Sequence, residues 1–413
     1  MKKHYLSAYA GLPKEVYLLF LARIINCMGS FIMPLLTLIL TQKLGISKAD
    51  TGTFTALLTL TQAPTLMLGG KLIDTIGRKK ILILCNIVGA FFYALCGIVS
   101  NHTAMIAFIV IASNIYIMAD PAFDAMLADL TTPENRKASY SLMYLGINIG
   151  MTFSPIIGGQ LFQNHLSLLF LLDAITTIAF TIVIALGIPE VYHRNSQKEK
   201  QTGTERKKQS AFFVLRAVPV LLMFIVLMFT YDFCYSQWNF MLPIQFGDLF
   251  GDSSAEFYSL LSASNAFTVI VLTPLVTSLT HRFRPLAVVA FGGFLYFVSY
   301  LGFSVGNSLI LFWISTELFT LGEIVTTINI GTFLANHSPA DYRGRINAFS
   351  SFVRGAARAA GPFLMGHVLS VLNYHTSWRI VAVVVLTGSL GMFILYRKEK
   401  MTSVYEETEK AAL

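Results

Sequence analysis

The chain has 413 residues, 55% of them hydrophobic and only 13% charged, with a mean hydropathy of +0.64 and a formal net charge of +8. A soluble domain carries about 25% charged residues, so this composition excludes an ordinary soluble enzyme or binding module. Recurrent apolar runs of about 20 residues have the length of bilayer spans. Their lack of alternation excludes a β-barrel, and lipid offers backbone groups no partners, so the spans must be helices.

Twelve spans are predicted, near residues 15–41, 50–73, 80–100, 103–128, 137–163, 166–189, 214–243, 256–281, 285–304, 308–335, 345–372 and 378–396. With both termini in the cytoplasm, the inside segments carry 23 Lys and Arg, and the outside loops only Lys43, Lys48 and Arg379. That asymmetry sets the orientation. It also explains the basic balance without a nucleic-acid partner. The first span is too long for a signal-peptide core, so no cleavable leader is expected. The segment 191–213 is polar and charged and reads as a cytoplasmic linker. It divides the chain into an N-terminal six-span bundle (1–190) and a C-terminal one (214–396), followed by a cytoplasmic tail (397–413).

In chain order, Arg23 in span 1 lies close enough to the inner surface for its head to snorkel out. Between spans 2 and 3 runs GGKLIDTIGRKK, residues 69–80. Asp74 ends span 2, where the helix dipole disfavours an anion without a partner; Arg78 is its nearest cation in sequence. Gly70 and Gly77 permit close approach and a tight turn. Asp129 at the inner end of span 4 and Arg136 can join this cluster. Higher in span 4 are Asp120 and Asp124, four apart and so on one face. Span 5 holds Gly150, Ser154, Pro155, Gly158 and Gly159, a hinge and packing pattern. Asp173 in span 6 is expected towards the outer end, in a structural role.

The second half echoes the first. Pro155, Gly159, Arg136 and Asp129 are each matched 207 residues on, by Pro362, Gly366, Arg343 and Asn336. Such repeats are common in secondary transporters, whose substrate sites lie near the midplane. Span 7 carries Tyr231, Asp232 and Tyr235. Trp238 and Phe240 read as an interfacial aromatic belt. Span 10 carries Glu323, and span 11 carries Arg354 and Arg358, again four apart. Ionisable residues inside a bilayer are candidate functional residues. Asp120, Asp124, Asp232 and Glu323 suit a proton or a cation, with Tyr231 and Tyr235 as aromatic faces. Arg354 and Arg358 suit an anionic group or an internal ion pair, Glu323 with Arg354 for example.

The motif at 69–80 resembles the signature between helices 2 and 3 of the major facilitator superfamily. The span-5 pattern looks like that of its drug/proton antiporter group, multidrug-resistance-like branch, with Ser154 where that pattern has glycine. The arginine many such relatives carry in span 4 is absent, and Val110 stands there. The resemblance implies an all-α fold of two six-helix bundles in the plasma membrane. It implies proton-coupled export of small amphipathic compounds by alternating access. It also implies an inner latch of Gly70, Asp74, Gly77, Arg78, Asp129 and Arg136. Spans 1, 4, 7 and 10 would line the cavity. The alternative on the same scaffold is a proton-coupled importer of peptides, sugars or organic anions. The expected partners are a small-molecule substrate, protons and the bilayer, with the chain acting as a monomer. No nucleotide motif, nucleophile–base set or metal-ligand spacing is present, so neither an enzyme nor a cofactor is expected. Cys27, Cys85, Cys96 and Cys234 fall inside spans and read as small apolar core residues.

Overall fold

The computed structural model describes residues 9–189, 219–338 and 343–412. The expected linker, 191–213, lies outside the described residues, as does the side chain of Asp74. The first half is built of α1 (Lys14–Met28), α2 (Ile32–Leu38, continued by a π turn Ile39–Lys43), α3 (Lys48–Ile76), α4 (Arg78–Ile98), α5 (His102–Asp129), α6 (Pro133–Phe162) and α7 (Leu166–Gly187). The second is built of α8 (Pro219–Tyr235, with a 3-10 turn Ser236–Trp238), α9 (Met241–Phe250), α10 (Ser254–Thr280), α11 (Pro285–Val305), α12 (Leu309–His337), α13 (Arg343–Val371) and α14 (Tyr374–Ala412).

Among the described residues, nine segments are long and apolar enough to cross a membrane, and one of them, Pro219–Thr280, runs through two of the expected spans. The 29-residue helices α3 and α13 are not among the nine. They carry the charges of the inner turn and of the arginine pair. Large apolar side chains such as Met67, Phe91, Leu186 and Phe352 stay exposed, as a lipid-facing surface requires.

Helix starts follow local chemistry. Asn101 caps α5 by accepting from Ala104 N at 3.2 Å, and Ser308 caps α12 by accepting from Leu311 N at 3.4 Å. These caps are again 207 residues apart. α6 begins with a capping box of Thr132 and Asn135 and a proline at its first position, where the missing N–H costs nothing.

The chain forms two compact units, Met1–Ile46, Leu57–Thr204 and Phe246–Ile270 in one, and Ser47–Ala56, Glu205–Gln245 and Val271–Leu413 in the other. In the first unit α1 packs on α6 and α7, and α4 on α5 and α7. In the second α8 packs on α13 and α14, and α11 on α12 and α14. The pairing scheme is the same in both, which is the repeat seen in three dimensions. Each unit also contains a helix end contributed by the other half of the sequence. In the first, a Cβ on Gly159 would lie 2.6 Å from Ser259 Oγ and 2.8 Å from Ala255 O. In the second, a Cβ on Gly366 would lie 2.7 Å from Lys48 O and 3.1 Å from Gly52 Cα, and one on Gly52 would lie 2.2 Å from Pro362 O. Ser259 follows Gly52 by the same 207 residues. Gly150 and Gly158 press on α1 and on the segment after it, so the span-5 glycines act as close-packing positions.

Span 1 is not the continuous helix that its apolar run predicts. It breaks at Gly29, Ser30 and Phe31 between α1 and α2. A Cβ on Gly29 would overlap Thr176 of α7. Ser154 Oγ donates to Ser30 O at 2.8 Å, and Phe31 N donates to Asp173 at 3.2 Å. The break thus takes its partners from α6 and α7. Pro34 sits in the first turn of α2, where its missing N–H is harmless. The serine that departs from the antiporter-like pattern is therefore a structural donor. Ser154→Gly removes this bond and adds backbone freedom, and is expected to cost ~1–2 kcal/mol. Chemical or thermal unfolding of the purified protein reads this directly; unchanged stability would refute the role.

Candidate substrate site and inner gate

At the inner turn, Gly77 has φ of 108° and ψ of 148°, a conformation essentially reserved for glycine. It turns the chain so that Arg78 meets the end of α5. Arg78 forms an ion pair with Asp129 and donates to Ala125 O at 3.0 Å. Arg136 donates to Ala128 O at 3.4 Å and Thr131 O at 3.3 Å. Both cations therefore sit at the carboxyl end of α5, where the dipole favours them. Lys79 does the same for α7 by donating to Ala185 O at 2.7 Å and Ile188 O at 2.6 Å. The close helix approach is at Gly69 and not at Gly70: a Cβ on Gly69 would lie 2.3 Å from Met118 O, whereas one on Gly70 meets nothing. Gly77→Ala is expected to cost about 1–3 kcal/mol and to loosen this corner. Proteolysis or hydrogen exchange at 74–80 should increase, and wild-type protection would contradict it.

The second unit holds the denser charge cluster. Asp232 on α8 is buried, at 3% exposure, and faces α13. Arg354 grips it with two nitrogens, Nε to Oδ2 at 2.7 Å and Nη2 to Oδ1 at 3.3 Å. Arg358, one turn on, donates Nε to Oδ1 at 2.8 Å. The approach of α13 to the 3-10 turn is made possible by Gly361, where a Cβ would lie 2.0 Å from Ser236 Oγ. Tyr235 donates to Glu323 Oε1 at 2.8 Å, and the Arg358 guanidinium lies 5.6 Å from the Tyr235 ring centre. Tyr235 and Trp238 both stack on Phe319, with ring centres 5.6 Å and 4.8 Å away.

This arrangement corrects several expectations. Arg354 pairs with Asp232 and not with Glu323. Tyr231 does not reach the cluster; it is buried and donates to Val289 O at 3.0 Å. Trp238 and Phe240 are buried aromatic packing at 6% and 1% exposure, not an interfacial belt. A buried carboxylate costs several kcal/mol unless it is paired. Here one carboxylate is shared by two guanidinium groups, and Glu323, held through Tyr235, is the second acid of the cluster, so a positive charge is left over when Glu323 is protonated. The side chains of Arg354 and Arg358 remain 32% and 48% exposed. Their remaining N–H donors match a carboxylate or phosphate fork.

The model of the Major Facilitator Superfamily matches residues 19–362 and 253–412, the first stretch alone covering more than half of the chain. The chain belongs to the Major Facilitator Superfamily. It is accordingly a multi-pass membrane transporter and not an enzyme. It is similar to the uncharacterized MFS-type transporter YhjO of Bacillus subtilis (strain 168), at 24% identity over 80% of each chain. It is similar to Multidrug resistance protein 2 of the same organism, at 22% identity over 86% of this chain and 88% of that one. Among solved structures it resembles a POT family transporter in complex with 5-aminolevulinic acid, with TM-score 0.72, 15% identity, and 94% and 97% of the two chains covered. At that identity the likeness shows the fold.

The first unit of this superfamily transporter holds a half-open cavity of about 170 Å³ lined by both polar and apolar groups. Asp120 and Asp124 are both exposed; Asp120 lines the cavity, whereas Asp124 does not, and the Asp124 carbonyl accepts from Tyr140 at 3.3 Å. Arg23 does not run to the surface as expected; it lines the cavity, with its guanidinium 4.9 Å from the Phe123 ring centre. Asp173, expected towards the outer end, lines the same cavity. The four cysteines are free and buried, as their placement in apolar runs predicts. Sequence reasoning missed the break in span 1, Asn86 and Lys79. The sequence Gly29-Ser30 ahead of Pro34 was the available signal for the first, and Asn86, the one strongly polar residue within the span-3 run, for the second.

Proposed function

We propose that the chain is a twelve-span secondary transporter of the plasma membrane, with both termini cytoplasmic. It moves small organic solutes bearing an anionic group and couples them to protons by alternating access. The observation that carries this reading is the sharing of Asp232 by Arg354 and Arg358, which leaves open guanidinium donors, and a positive charge once Glu323 is protonated, beside the Tyr235 and Phe319 rings. A solute with a carboxylate and an apolar body fits that chemistry. Glu323 and Asp120 are the proton-accepting candidates, because carboxylates inside a bilayer are costly unless they serve ion movement. The POT family transporter of this fold bound to 5-aminolevulinic acid supports the substrate class.

A second reading is drug/proton antiport of amphipathic compounds. The span-5 pattern from Gly150 to Gly159 and the likeness to Multidrug resistance protein 2 favour it. In that case Glu323 and the aromatic rings would hold a lipophilic cation. Flux in proteoliposomes under an imposed pH gradient separates the two. The first reading predicts gradient-driven, saturable flux of carboxylates and little of their amides. Saturable flux of lipophilic cations alone would favour the second and contradict the first.

A further inference from the structure

The cavity of the first unit carries more negative than positive charge. Its lining holds Arg23 from α1, Asp120 from α5 and Asp173 from α7, that is one cation and two carboxyl groups. Tyr93 of α4 and Tyr116 of α5 are the other titratable groups facing it. Asp173 is 5% exposed, and among the described residues no cationic side chain pairs with it. Its carboxylate accepts from the Phe31 N–H, at 3.2 Å, in the break of span 1, and from the Ile32 N–H at the start of α2. Asn86, 6% exposed, lines the same cavity, and its amide nitrogen has no hydrogen-bond partner among the described residues. Neither has Arg23 Nε. Orphaned buried donors around a roomy polar space indicate an occupant with acceptor oxygens, such as an ion's water shell.

We infer that Asp173 is a binding site for a monovalent cation, a proton or an alkali ion, inside the first unit and apart from the arginine pair. A single positive charge there balances the cavity. Oxygens of Asp173, Ser113 and Thr177 suit a hard cation, and water of its shell accepts from Asn86 and Arg23. Occupancy also acts on the backbone. A bond to a carboxylate is about twice as strong as one to a neutral acceptor, so neutralising Asp173 loosens its hold on Phe31. The same α7 presses on Gly29 through Thr176. Cation binding is thereby linked to the geometry of the segment joining α1 to α2. The inference rests on the proton-coupled reading above and adds Asp173 as a cation site beside the carboxyls named there.

The experiment reads binding without flux, so its failure and the failure of the transport reading are distinct. Purified protein in lipid nanodiscs is titrated by infrared spectroscopy for carboxyl protonation, and binding of radioactive sodium is measured at alkaline pH. Asp173→Asn keeps an acceptor for Phe31. It is expected to remove one protonated-carboxyl band if the ion is a proton, or to weaken sodium binding at least tenfold if it is an alkali ion. Glu134→Gln, at an exposed carboxyl outside the cavity lining, should leave that band or that binding in place. Should Asp173→Asn fail to fold, Asp173→Glu serves: a shifted band or altered sodium affinity supports the site. Wild-type proton and sodium titrations in the folded variants would overturn it.

Discussion

Asp232→Ala is expected to destabilise the second unit by about 2–3 kcal/mol and to abolish transport. The substitution leaves two guanidinium groups side by side with no shared anion. Breaking a fully buried pair costs about 3–5 kcal/mol; the lower figure applies because Arg358 is 48% exposed and can be hydrated. Removing one of the two excess cations in the same background, as Asp232→Ala with Arg354→Gln, should recover a good part of the loss. Thermal unfolding of the single and double variants measures this coupling. Additive losses would mean that Arg354 and Asp232 do not act as a pair.

Arg358→Gln has the largest expected effect on recognition. Asp232 keeps its two-pronged partner Arg354, at 2.7 and 3.3 Å, so the fold is expected to survive. What is lost is a charged donor to the solute. A hydrogen bond to a charged group contributes about 1.5–3 kcal/mol, which corresponds to roughly a 10- to 150-fold rise in half-saturation for an anionic solute. Arg358→Lys should rescue poorly, since an ammonium lacks the planar fork. Transport of an uncharged analogue should change little. An equal loss for charged and uncharged analogues would argue for a purely structural arginine.

The architecture was legible in the sequence because lipid leaves few options. Apolar run length gave the helices, and the 207-residue offset announced a repeat that the paired packing schemes and the Asn101 and Ser308 caps then display. The residues of the arginine cluster were also legible, since a charge inside a span is conspicuous. Their pairing was not. Spacing along α13 puts Arg354 and Arg358 on one face, but only packing decides whether Asp232 or Glu323 meets them. The break in span 1 was hidden by its own apolar composition: a helix interrupted at Gly29 to Phe31 reads the same as a continuous one until Ser154 and Asp173, more than a hundred residues away, supply its partners. The bond of Asp173 to Phe31 N was hidden for the same reason, because one acid in an apolar helix does not reveal what it faces.

The central claim is that Arg354 and Arg358, sharing Asp232, recognise an anionic group. The most direct measurement is a thermal-shift comparison of purified wild-type protein and Arg358→Gln, each with a set of carboxylates, their amides and lipophilic cations. The account predicts that particular carboxylates raise the wild-type transition, that their amides do not, and that Arg358→Gln abolishes the shift. Stabilisation by lipophilic cations alone, equal in both proteins, would contradict it.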